Sequence, residues 1–118
     1  MTLENINRLF ISIPMSGVEK ESREHCNEYK RRLQDKFPNI EFISGWDVNT
    51  EKGKKTSYYM GRDIEALMEC DGIISCDKWW LSKGCQVERF TAKCYGLRVF
   101  EIEDLLDDVS DIGSLEVK

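Results

Sequence analysis

Two hydrophobic rhythms alternate along the chain. Arg8 to Met15 (RLFISIPM) is a continuous, partly β-branched apolar run that stops at Pro14 and is followed by Ser16 and Gly17, which predicts a buried strand ending in a tight loop. From Val18 to Lys36 the period changes: Val18, Ser22, Cys26, Tyr29 and Leu33 recur at helical spacing, and the opposite face is Glu, Lys and Arg. Ile40 to Ser44 (IEFIS) predicts a second strand, and Gly45 to Thr56 (GWDVNTEKGKKT) has the Gly, Asn, Asp and Lys content of a long, mobile loop. Met60, Ile64, Leu67 and Met68 predict a second helix from about Ser57 to Cys70, with Ser57 as its cap and Asp63 inside it. Gly72 to Cys76 (GIISC) reads as a third strand, apolar enough to be buried on both faces. Asp77 to Gly84 crosses into a third helix, Gly84 to Tyr95, which Gly96 ends, and Leu97 to Ile102 is the fourth strand. The acidic remainder, Glu103 to Lys118, is expected to add a short helix at Asp104 to Val109 and an edge strand at Leu115 to Val117.

Strands that alternate with helices of this length imply a parallel sheet with helices on both faces, because crossovers between parallel strands are right-handed. The expected fold is therefore α/β: a three-layer sandwich around a doubly wound, mostly parallel sheet of four or five strands, flavodoxin- or Rossmann-like. A length of 118 residues suits a single domain over 1–118 with one core.

Composition narrows the classes of function. A hydrophobic share of 41% beside 33% charged residues is that of a folding chain, and no apolar run approaches the ~20 residues that cross a bilayer. The N-terminus lacks the basic-then-apolar pattern of a signal peptide, so a cytoplasmic protein without membrane contact is expected. The net charge of −5 argues against a nucleic-acid footprint, which needs clustered Lys and Arg. Five cysteines without a C-x-x-C pair, beside the single His25, read as reduced thiols, and neither a metal nor an organic cofactor is expected.

In open parallel sheets ligands bind beyond the carboxyl ends of the strands, where the connections diverge. That rule selects Ile13 to Gly17 and Asp77 to Gly84, each leading into a helix N-terminus whose free N–H groups favour an anionic ligand group. Neither a G-x-G-x-x-G nor a P-loop pattern occurs. Asp63, Asp77 and Glu88 are the carboxylates brought near that edge. Glu88, one turn after Gly84, has two readings from position alone: a carboxylate set against the anomeric carbon of a sugar, or an acid that merely complements a helix dipole.

Three runs, in order, carry a resemblance: Phe10 to Gly17 (FISIPMSG); Tyr59 to Leu67 (YMGRDIEAL) with Cys70 and Asp71; and Trp79 with Ser82 to Glu88 (SKGCQVE). Across about residues 8–102 the chain resembles a small branch of the nucleoside 2-deoxyribosyltransferase-like superfamily, which also includes deoxynucleotide N-hydrolases. The resemblance implies Glu88 as nucleophile, from the S-x-G-x-x-x-E run, and Asp63 as the acid that contacts the sugar or handles the proton on the base. It implies substrate contacts at Phe10, Ser12, Pro14, Met15, Ser16 and Gly17 after the first strand, and at Asp77, Trp79, Ser82 and Gly84 after the third. It also implies a homo-oligomer acting on a small-molecule nucleoside or nucleotide. Three positions depart from the pattern. Phe10 stands where a tyrosine hydroxyl would orient the glutamate, Ile13 where glycine precedes the proline, and Trp80 where an acid follows the tryptophan.

Other residues invite simpler readings. Trp79 is expected to pack inward and Trp80 to cap a pocket or a contact between subunits. Lys52, Lys54 and Lys55 form a solvated loop face or a phosphate contact; Arg62 pairs with an acid or a phosphate. His25 lies away from the edge, Asp71 caps a turn, and Cys85, at a helix N-terminus, is expected to pack although such thiols can acidify. Two functions follow as expectations: N-glycosidic cleavage or transfer through Glu88, or a non-catalytic module that holds a nucleotide-derived ligand in the same place.

Overall fold

The short apolar runs become the strands β1 (Arg8–Ser12), β2 (Glu41–Ser44), β3 (Gly72–Ser75) and β4 (Arg98–Glu101) in the computed structural model, which describes residues 3–117. All four are parallel, in the order β2-β1-β3-β4. The helices are α1 (Glu19–Lys36), α2 (Gly45–Val48), α3 (Thr56–Met68), α4 (Lys83–Cys94) and α5 (Ile102–Leu105), with short 3-10 turns at Trp79–Leu81 and Ser110–Ile112. This is the expected three-layer, doubly wound α/β fold.

Side-chain alternation along β1 sorts the core into two halves. Leu9, Ile11 and Ile13 face α1, where they pack with Cys26, Tyr29, Leu33 and the C-terminal residues Leu105, Leu106 and Leu115. Phe10 points to the other face, among Ala66 and Leu67 of α3 and Ala92 of α4. Ser12 follows two residues later on that same face, at the carboxyl end of the strand. Since β1 leads to α1 on one face and β3 to α4 on the other, the connections diverge between β1 and β3. Ser12 and Ser75 pair in register at that switch point.

Several boundaries differ from the sequence expectation. β1 ends at Ser12 rather than Met15, because Pro14 has no N–H to continue a ladder. The stretch after Ser44 is not all loop. Asp47 accepts from the Ser44 N–H at 2.8 Å while the Ser44 hydroxyl accepts from the Trp46 N–H at 3.2 Å, a capping box that starts α2. Ser57 is not the cap of the next helix, which begins at Thr56 after Lys55 with no side-chain cap. The expected helix at Asp104–Val109 is displaced to Ile102–Leu105. No strand forms at Leu115–Val117 among the described residues. Leu115 is instead 1% exposed in the α1-side core, and the tail is held by Ser114 donating to Asp77 and Lys78 to the Leu115 carbonyl.

Gly72 explains how β3 fits between its neighbours. A methyl group there would lie 2.6 Å from the Arg98 carbonyl oxygen and 3.1 Å from Leu9 Cδ2. Gly72→Ala is therefore expected to destabilise the fold by roughly 1–3 kcal/mol, read as a lower urea midpoint with an unchanged slope.

Candidate active site

Two carboxyl groups meet beneath the switch point. Glu88 projects from the buried stripe Cys85, Glu88 and Ala92 of α4, and Asp63 from the stripe Asp63, Ala66 and Leu67 of α3; they are 5% and 6% exposed. Among the described residues neither has a Lys, Arg or His within ion-pair distance. Their partners are neutral: the Ser12 hydroxyl donates to Glu88 Oε1 at 2.6 Å, and the Asn49 amide donates to Asp63 Oδ1 at 2.6 Å. Glu88 and Asp63 lie close enough for each to perturb the other's titration.

One proton must sit between them, since two adjacent carboxylates in a dry site cannot both ionise. Burial pushes both groups above the ordinary range. For Asp63 the Glu88 and Asn49 hydrogen bonds and the Arg62 charge pull back down, whereas for Glu88 the Asp63 charge adds to burial and pushes it well above 4.5. Both carboxyl groups are therefore biased towards their protonated forms, Glu88 by burial together with the Asp63 charge. Glu88 lies beyond the first turn of α4, which contains no acid, so a dipole partnership does not explain its burial.

The backbone makes room for this arrangement. A methyl on Gly45 would lie 2.9 Å from Asp63 Oδ1 and 3.2 Å from Met15 Sδ, so glycine leaves space for the carboxylate and Met15 borders the pair. Ser82 caps α4 by accepting from the Cys85 N–H at 3.2 Å, and Gly84 lies beside Met60. Asn49 is itself the C-cap of α2, its N–H bonded to the Gly45 carbonyl at 3.0 Å.

Of the residues singled out from sequence, the structure brings Glu88, Asp63 and Ser12 together, with Met15 at the border and Ser82 and Gly84 at the start of α4. It does not bring in Phe10, which is 1% exposed within the α3–α4 core and packs below the site. The hydroxyl that reaches Glu88 from β1 is that of Ser12, two residues on. Asp77 accepts from Ser114 at 2.8 Å, which ties it to the C-terminal tail. Pro14 is buried, and Ser16 and Gly17 are exposed. Trp79 is half-buried with the Arg89 guanidinium 4.1 Å from its ring centre, while Arg89 also bonds Ser75 and Glu101; Trp80 is 55% exposed.

Arg62 donates twice to the Val48 carbonyl rather than to an acid, and Asp71 accepts from the Asn7 and Arg8 N–H groups, which ties down the start of β1. Asn49 and Gly45 escaped the sequence reading. The signal that could have found them is Ser44-x-x-Asp47, a capping-box pattern that turns the presumed loop into a helix ending at Asn49. Cys85 does not acidify at its helix start: burial and the neighbouring Glu88 push its thiol up to about 12. Of the five free thiols only Cys94 is exposed. A thiol reagent is expected to label Cys94 quickly and the remaining four only on unfolding; fast labelling of Cys85 would contradict its burial.

Among the described residues no three His, Cys, Asp or Glu side chains gather as a metal site, and no helix is long and apolar enough to cross a membrane. Fold and site together define an α/β domain of the Rossmann-like class with a buried carboxyl pair at its topological switch point. The chain belongs to the family described as Domain of unknown function (DUF4406), whose model matches residues 7–101. That span contains Ser12, Asn49, Asp63 and Glu88. No curated protein and no solved structure matches the chain.

Proposed function

We propose that the domain cleaves or transfers the N-glycosidic bond of a (deoxy)nucleoside or nucleotide, with Glu88 as nucleophile and Asp63 as the acid and base. The observation that carries this reading is the Ser12–Glu88–Asp63 cluster: two neighbouring buried carboxyl groups, with no ion-pair partner among the described residues, at the ligand edge of the sheet. Burying such a pair costs stability, and sites that hold strongly perturbed acids are disproportionately catalytic.

The chemistry needs only one proton between the two. As substrate binds, the proton passes from Glu88 to Asp63. Glu88 Oε then attacks C1′, the C1′–N bond breaks, and Asp63 delivers the proton to the departing base. In the second half, water or an incoming base attacks C1′ and gives its proton to Asp63, the C1′–Oε bond breaks, and the pair returns to its shared-proton state. The Ser12 hydroxyl holds Glu88 throughout.

Purified protein incubated with a panel of nucleosides and 5′-nucleotides is expected to release free base and to show a pentosyl mass adduct at Glu88. Ser12→Ala should slow release roughly tenfold to hundredfold, because the nucleophile loses its orienting bond. No base from any member of the panel sinks the reading. The near-complete burial of the pair favours one alternative, a non-catalytic module that closes over a nucleotide-derived ligand. Thermal stabilisation by a nucleotide without turnover would select it. The exposed apolar residues Leu81, Val87, Phe90 and Tyr95 support self-association, which light scattering tests directly.

A further inference from the structure

We propose that Asn49 reads the exocyclic substituent of the leaving base, accepting a hydrogen bond from an amino group and so selecting 6-aminopurine over 6-oxopurine nucleosides. This rests on the N-glycosidic reading of the site. Asn49 Oδ1 is buried and has no hydrogen-bond donor among the described residues, whereas its Nδ2 is held by Asp63 Oδ1 at 2.6 Å. The amide presents its donor to Asp63 and leaves its oxygen unpaired among the described residues. The α2 C-cap fixes the backbone from which the side chain extends.

A buried carbonyl without a donor is an uncommon feature that a ligand N–H can satisfy. The neighbouring Asp63 is the group that hands a proton to the base. On adenine the N7 acceptor and the N6 amino donor stand side by side on one edge; on a 6-oxopurine the N7 acceptor stands beside a second acceptor, O6. Asp63 protonating N7 therefore brings the adenine amino group to Asn49 Oδ1, and brings O6 of hypoxanthine or guanine to the same oxygen, where two acceptors repel. Met15, whose Sδ lies 3.2 Å from the position a Gly45 methyl would take, is a flexible side chain beside Gly45 and Asp63.

Adenosine and inosine, with their 2′-deoxy forms, differ at position 6 with the sugar unchanged, and they provide the test. Wild type is expected to favour the adenine member at least roughly tenfold in kcat/KM. Asn49→Ala should bring that ratio near one by losing the adenine substrate, and Asn49→Ser guards against a folding failure. A second arm needs no turnover: adenosine should raise the Tm of the Glu88→Gln protein more than inosine does, and the difference should vanish when Asn49→Ala is added. Equal or better handling of inosine by wild type, an unchanged ratio in both Asn49 variants, or no binding of either ligand overturns the proposal. Absence of base release with a retained adenosine preference in the binding arm overturns only the glycosidic reading.

Discussion

Replacing Glu88 with glutamine is expected to make the protein more stable at neutral pH and to abolish base release. Glutamine has the shape of the protonated acid. Its Oε1 still accepts from Ser12, and its amide offers a donor to the neighbouring Asp63 carboxyl. What disappears is a titration. Folding raises the Glu88 pKa above its ordinary 4.5, so the native state holds a proton that the unfolded chain releases. Wild-type stability must then fall as pH rises from about 4.5 through the raised native value. Asp63, also raised, contributes with the same sign. In Glu88→Gln the Glu88 contribution is gone, and urea midpoints across pH 4 to 9 should show a flatter profile, with a gain on the order of 1–3 kcal/mol at the alkaline end. Loss of the nucleophile should cut base release by at least roughly a thousandfold. A variant less stable than wild type at pH 8 would show that Glu88 does not carry the proton, and retained turnover would show that it is not the nucleophile.

Asp63→Asn separates the two carboxyl roles. An amide cannot deliver a proton to a departing base, so release of ordinary purines should fall by roughly 10²–10⁴. A pentoside whose leaving group departs as a stable anion needs no such help and should be spared. Removing the Asp63 charge also lowers the Glu88 pKa, since that charge raises it. The acid limb of the pH–rate profile with the activated substrate should consequently move to lower pH. Equal losses with both substrate types would place Asp63 in sugar binding rather than in proton transfer.

The sequence contained most of the architecture because the apolar periods are clean. The apolar runs expected as strands at 8–15 and 72–76 form them over 8–12 and 72–75, and the helical stripe Ser22, Cys26, Tyr29, Leu33 is buried as expected. Errors fell where local signals compete. The lysine-rich composition of residues 51–55 masked the capping box that starts α2, and the apolar pair Leu115 and Val117 looked like a strand although Leu115 fills the α1-side core. Phe10 and Ser12 show the same limit within the site: their alternation puts them on one face of β1, yet only packing reveals that the first lies in the core and the second reaches the carboxyl pair.

Glu88 could be singled out along the chain, by its place after Ser82 and Gly84 and by resemblance, but its state could not. Its proton depends on Asp63 and on exclusion of water, and its orientation on Ser12, 76 residues away in sequence. Hydrophobic period determined the elements and their order, because burial of alternating or helical stripes acts locally along the chain. The meeting of Ser12, Asn49, Asp63 and Glu88 was decided by tertiary structure alone, because the energy of a buried charge depends on which groups from distant segments surround it.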